Sequence, residues 1–264
     1  MDQGKATIVP SSTRAAAALA LLLLSCGSRP GSTYSTLETM LKEDAAYSER
    51  LLNAEADSPD ANLKEFDDFC DRSVELRTER LIKIQASLTD SQADLKKNIV
   101  DHFNAENSLV RAKRRFYDAY FELKSLRARY SDIAQKADAA SALGDRYKVS
   151  DDDVAKVNLD TPAKDWAELK KRAETAMHYM KQSIDYRIES KQLVSSVNAA
   201  VATVLAAGKS YTESVERALE TEKRLAADTA KLGLSIGTPI NTSIKDVYSR
   251  SSATLKDVQS LMLK

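Results

Sequence analysis

The side chains best equipped for chemistry are two cysteines, two histidines and many carboxylates and cations, and their spacing limits what each can do. His102 and His178 have no second histidine one helical turn away and no cysteine at metal-ligand spacing, so a zinc site would need ligands from other helices. Each is therefore expected to be a partly exposed helix residue, and no metal is expected. Asp151, Asp152 and Asp153, with Asp160 nearby, lack the alternating oxygen ligands, central glycine and closing glutamate of a calcium loop. An aspartate capping a short helical turn is the expectation there. No glycine-rich phosphate loop, nucleophile elbow, His-Glu-x-x-His run or Glu-x-x-His pair occurs, so the reading is a non-enzyme without a cofactor. Cys70 falls on an apolar helical stripe and reads as a buried, inert thiol.

Charge is balanced overall, with 39 basic and 39 acidic side chains, but it is unevenly placed. Residues 38–79 carry thirteen acidic and five basic side chains. Residues 111–129 carry seven basic ones, Arg111, Lys113, Arg114, Arg115, Lys124, Arg127 and Arg129, against two acidic. Two expectations follow. The two stretches lie side by side and neutralise each other, as flanking positions of coiled coils do. Alternatively the cations form a patch with Phe116, Tyr117, Tyr120 and Phe121 that takes an anionic ligand such as a glycan or a lipid head group. The aromatic residues also fall at core spacing, so most are expected to be buried.

The N-terminus reads as an address. A polar stretch with Lys5 and Arg14 precedes ten apolar residues, Ala15 to Leu24, and Leu23-Leu24-Ser25-Cys26 closes the segment. Ten residues of helix rise about 15 Å, roughly half the hydrocarbon thickness of a bilayer, which fits a signal peptide better than a permanent span. The Leu23-Leu24-Ser25-Cys26 ending resembles the lipobox of bacterial lipoproteins, with Leu24 a less common occupant of its position. The resemblance covers only the first 26 residues. It implies removal of residues 1–25, acylation of Cys26 (diacylglyceryl, with palmitate-type chains) and a membrane anchor. Residues 26–34 then form a flexible tether, and 35–264 a single domain. Gly27 differs from the aspartate that marks inner-membrane retention in enteric bacteria, so the outer membrane is the expected address. Ordinary secretion with cleavage after Gly27 is the alternative.

Glycine and proline are scarce beyond residue 31, with Gly144, Gly208, Gly233, Gly237, Pro59, Pro162 and Pro239. A sandwich or barrel needs turn residues far more often. The expected fold is all-α, an elongated antiparallel coiled-coil-like bundle of long helices. A capping box at Ser35-Thr36-Leu37-Glu38 opens a helix to about Ala56, and Asp57 to Asp60 break the chain. A second helix carries Leu63, Phe66, Cys70, Val74, Leu81, Ile84 and Leu88 on one face. Thr89 to Gln92 cap the longest helix, to Gly144, and residues 145–161 form the one long connection. Thr161 and Pro162 start a helix to Ala207, which Gly208 ends or bends before Ser210 recaps a segment to Leu232. A turn at Gly233 to Pro239 precedes a last helix through Val258 and Met262. The uncharged, small-residue stretch Leu193 to Ala207 is expected to be the tightest part of the bundle.

The functional expectation is a lipid-anchored, non-enzymatic helical protein of the cell envelope that binds a protein, a glycan or another surface ligand. A periplasmic scaffold acting through helix pairing, with itself or another protein, is the alternative. Nucleic acid is not an expected partner of an exported chain. An exposed apolar stripe would favour scaffolding, and a solvated basic face at 111–129 an anionic ligand.

Overall fold

The computed structural model describes residues 30–53, 63–89, 92–158, 160–234 and 255–263. The signal segment, Cys26, the break at Asp57 to Asp60 and most of the last predicted helix lie outside the described residues. Every regular element among the described residues is helical: α1 Pro30–Asn53, α2 Leu63–Ser87, α3 Ala93–Tyr147, α4 Asp151–Ala155 and α5 Ala163–Lys231. A further short helical stretch spans 255–260. The fold is thus all-α, an elongated antiparallel bundle built on two very long helices.

Helices α3 and α5 run antiparallel along their length. Asn98 pairs with Asp228 near one end. Arg129 meets Glu189 at 2.7 Å in the middle, and Ser183 donates to the Ala137 carbonyl at 2.9 Å further out. At 55 and 69 residues they extend roughly 80 and 100 Å. Helices α1 and α2 cover only one half of this hairpin. Lys113 of α3 donates to the Leu51 carbonyl of α1, and Arg114 of α3 reaches Asp67 and Asp71 of α2, each at 2.8 Å. Among the described residues the proximal half is therefore a four-helix bundle, and the distal half a two-helix arm with no third helix over it.

The core follows from apolar residues at three- and four-residue steps. Leu37, Leu41, Ile84, Leu88, Ile99 and Phe103 pack with Leu225 at the proximal end. Leu51, Cys70, Leu109, Val110 and Val215 form the next cluster. Phe116, Tyr117, Leu123, Val197, Val201 and Val204 form the third, sealed by Val258 from the 255–260 stretch. The tight packing expected of Leu193 to Ala207 is present in these valines. In the arm the seam changes character, and small residues such as Ala137, Ala140, Gly144, Ala176 and Ser183 are the buried ones.

Three boundaries differ from the sequence reading. Helix α1 begins at Pro30, five residues before Ser35; proline is favoured in the first helical turn because its missing N–H has no partner to lose. Ser35 sits inside the helix, and its carbonyl accepts from Thr39 Oγ1 at 3.0 Å. Helix α3 runs to Tyr147, past Gly144. The largest correction is Gly208, which neither ends nor bends α5: the helix is continuous from Ala163 to Lys231. The glycine serves close approach instead, since a Cβ there would lie 2.4 Å from Leu255 Cδ2. Residues beyond 234 in the predicted turn lie outside the described part, but Gly233 does turn the chain, at φ +70°.

Candidate functional site

Helical spacing places charged residues where the core of the four-helix half should be apolar. In α1 the inward positions run Leu37, Leu41, Asp44, Ser48, Leu51, and in α3 Glu106 stands between Phe103 and Val110. Arg77 of α2 completes the layer. Asp44, Ser48, Arg77 and Glu106 are all at most 1% exposed. Arg77 Nε donates to Asp44 Oδ1 at 2.8 Å, and Arg77 Nη2 donates to Ser48 Oγ at 2.8 Å and to Glu106 Oε2 at 3.4 Å. Ser48 Oγ in turn donates to Glu106 Oε2 at 2.6 Å. Arg80 approaches Asp44 at 3.5 Å and pairs with Glu43 at the rim.

One guanidinium thus ties α1, α2 and α3 together, and α5 adds Thr221, 3.5 Å from His102 of α3 across the α3–α5 seam. Burial pushes the Asp44 carboxyl above its ordinary range; Arg77 opposes that shift and Glu106 adds to it. Asp44 Oδ2, Arg77 Nη1 and Glu106 Oε1 have no hydrogen-bond partner among the described residues. A buried ion pair with unsatisfied atoms is costly, and its best-attested use is to fix register and pairing. The layer lets α1 and α2 dock on the hairpin in one register only, because sliding by a turn would bury Arg77 against leucines.

His102 corrects the sequence expectation: it is buried, not partly exposed. Its place on the inner line of α3, one residue before Phe103, puts it under α5. His178 is exposed and packs edge-on against Tyr179. Ser150 caps α4 with a full capping box to Asp153, so the aspartate run is a helix start as expected. Asp153 also holds Arg172 of α5 at 2.8 Å, and the Ser150 hydrogen bonds keep its carboxyl below the usual range. Cys70 is buried, and burial pushes its thiol up to about 11.

The seven cations of 111–129 are spread around α3. Lys113 is buried, with its ammonium near the Tyr117 and Tyr211 rings. Arg114 is neutralised by the acidic stretch through Asp67 and Asp71. Arg127 donates to the Leu261 carbonyl at 2.6 Å, and Lys124 lies over the Tyr120 and Phe121 rings. Arg111, Arg115 and Arg129 are exposed along one line, but Asp118 and Glu122 are exposed on that same line. Phe116 and Tyr117 are buried in the core, as their spacing predicts.

The arm supplies the other candidate surface. Met177, Met180, Ile184 and Ile188 recur at helical spacing on α5 and are 62%, 37%, 58% and 53% exposed. Periodicity alone gives these four residues a common side of the helix and does not say whether that side is covered. In the arm the buried residues are mostly small ones, while Met177, Ile184 and Ile188 lie outward and Met180 leans toward Gly144 of α3.

Comparison with protein-family models, with curated proteins and with solved structures finds no match to this chain.

Proposed function

We propose that the chain is a lipid-anchored, non-enzymatic helical protein of the bacterial cell envelope that binds a protein partner by helix pairing along its distal arm. The observation that carries the binding reading is the exposed stripe of Met177, Met180, Ile184 and Ile188 on a helix pair that has no third layer among the described residues. Large apolar side chains at i, i+3, i+7 and i+11 form the anchor pattern by which one helix recognises another. The anchoring reading rests on Leu23-Leu24-Ser25-Cys26 and the apolar run before it. With the outer membrane as the address, the bundle would stand off the lipid with its arm available to neighbours.

An anionic ligand has less support, because the cations of 111–129 are divided between core, ion pairs and a line shared with acids. A photo-crosslinking residue in place of Ile184, in cells making the full chain, tests the proposal. A discrete protein adduct is expected on irradiation, absent when the same group replaces exposed Glu122 on the outer line of α3. No adduct at Ile184 would overturn the binding reading.

A further inference from the structure

We propose that residues 255–263 are a releasable strap, occupying in cis the proximal stretch of one continuous groove whose open distal stretch is the arm stripe, and that the strap and the partner helix compete for that groove. This rests on the reading of the arm as a helix-binding surface and adds how access to it is controlled.

The heptad of α5 makes the two stretches one. Its seam with α3 is marked by Ala176, Ser183, Val197, Val204 and Tyr211, all buried and spaced by multiples of seven, so residues seven apart keep one orientation along the supercoil. One position after the seam come Met177, Ile184, Lys191, Asn198 and Leu205, and four positions after it Met180, Arg187, Val194, Val201 and Gly208. These two lines form one flank of α5. In the proximal half the strap covers that flank. Leu255 fills the gap at Gly208, where a Cβ would lie 2.4 Å from Leu255 Cδ2, Val258 joins the cluster of Val201 and Val204, and Leu263 meets Asn198. In the arm the same flank carries Met177 and Ile184, 62% and 58% exposed, and no described helix lies over it there.

The strap is held as a ligand is held. Its helical part spans only 255–260, too short to persist without its dock, and Val258 is the only residue of 255–263 that is buried. Much of the remaining hold runs from side chain to backbone. Asn198 pairs with the main chain of Leu263 in both directions, its Nδ2 donating to the carbonyl at 3.0 Å and its Oδ1 accepting from the N–H at 2.9 Å. Arg127 of α3 donates to the Leu261 carbonyl at 2.6 Å. These side chains satisfy the free backbone groups at a helix end and not its side chains, so another helix with apolar residues at the same steps meets the same donors and acceptors. A segment with one buried anchor and partly exposed hydrogen bonds opens at the low end of a protein's free-energy range. Opening this one bares Val201 and Leu205 and joins them to Ile184 and Met177 in a groove roughly 42 Å long, against roughly 17 Å for the arm stripe alone. Four partly exposed side chains fall short of the roughly 800 Å² per partner that a stable interface buries, so a partner helix gains from the strap's footprint and displaces it.

The yield of the Ile184 photo-adduct in the full chain, with the strap loosened and with it locked, tests the competition. Val258→Asp removes the strap's buried anchor and leaves every residue of α3 and α5 in place; the adduct is expected to rise several-fold. Gly208→Cys with Leu255→Cys locks the strap, since Leu255 Cγ lies 3.2 Å from the position of a Cβ at 208, within reach of a disulfide. Oxidised, that chain is expected to lose most of the adduct, and reduction is expected to restore it. The locked chain carries the test alone if Val258→Asp loses helix content by circular dichroism. An adduct indifferent to the lock, or one that falls when the strap is loosened, would each overturn the strap's role while leaving the binding reading intact. No adduct in any of the three chains would remove the binding reading and the strap's role with it.

Discussion

Replacing Arg77 with methionine removes the one cation that faces both Asp44 and Glu106. In the folded chain its guanidinium lies 2.8 Å from one carboxylate and 3.4 Å from the other, and at an effective dielectric near 20 these contacts are worth about 6 and 5 kcal/mol before desolvation. Much of that attraction offsets the cost of burying the charges, so the loss to expect is the one found when a buried pair is broken, about 3–5 kcal/mol. Against a total stability of roughly 5–15 kcal/mol, this is a severe change. In urea titrations followed by circular dichroism at 222 nm, the midpoint should fall by roughly 1.5–2 M. The deficit should also depend on pH. Burial and Glu106 already raise the Asp44 carboxyl, and losing Arg77 raises it further. A carboxyl with a raised folded-state pKa favours folding below its unfolded value near 3.8, and that contribution is lost as pH rises through the folded value. The variant should therefore sit closest to wild type in acid and furthest from it at neutral pH. Asp44→Leu and Glu106→Leu added to Arg77→Met should recover stability to wild type or about 1–4 kcal/mol beyond. A deficit under about 1 kcal/mol, or one that grows on acidification, would refute the assignment of this layer.

Gly208→Ala brings a methyl to 2.4 Å from Leu255 Cδ2 while improving helix propensity by about 1 kcal/mol. Helix content should hold while the 255–260 stretch becomes more sensitive to limited proteolysis, and Leu255→Ala in the same chain should reverse that sensitivity. Unchanged protection in Gly208→Ala would mean the contact is not the reason for the glycine. Cys70, buried with its thiol pushed up to about 11, should resist a disulfide reagent at pH 8 in the native state and react at once in denaturant; rapid native labelling would contradict its burial.

The helices were legible because their signals are local. The spacing of Phe66, Cys70, Val74, Ile84 and Leu88 and the capping aspartate of the Asp151–Asp153 run each act within a few residues, and both appear in the fold. Gly208 misled because its reason lies 47 residues away in Leu255, and no local rule separates a helix-ending glycine from one that admits a neighbour. The exposure of the arm stripe was not legible for the same reason, since periodicity groups Met177, Met180, Ile184 and Ile188 but does not say whether a neighbour covers them. The buried polar layer did carry a signal. Asp44 and Ser48 continue the heptad-like steps of Leu37 and Leu41, and Glu106 occupies an apolar line between Phe103 and Val110. Charges on an inward stripe in two separate helices are the pattern that would have located it, with Arg77 as the cation between them. The dispersal of the 111–129 cations was not legible, because which side of α3 meets α1, α2 and α5 is decided by tertiary packing.

The anchor is tested most directly by metabolic labelling with a palmitate analogue in bacteria making the full chain, beside Cys26→Ala, with detergent-phase partitioning of both. The account predicts a labelled wild type in the detergent phase and an unlabelled variant in the aqueous phase or held as uncleaved precursor. Equal labelling of the two, or no labelling of either, would contradict a lipid anchor at Cys26.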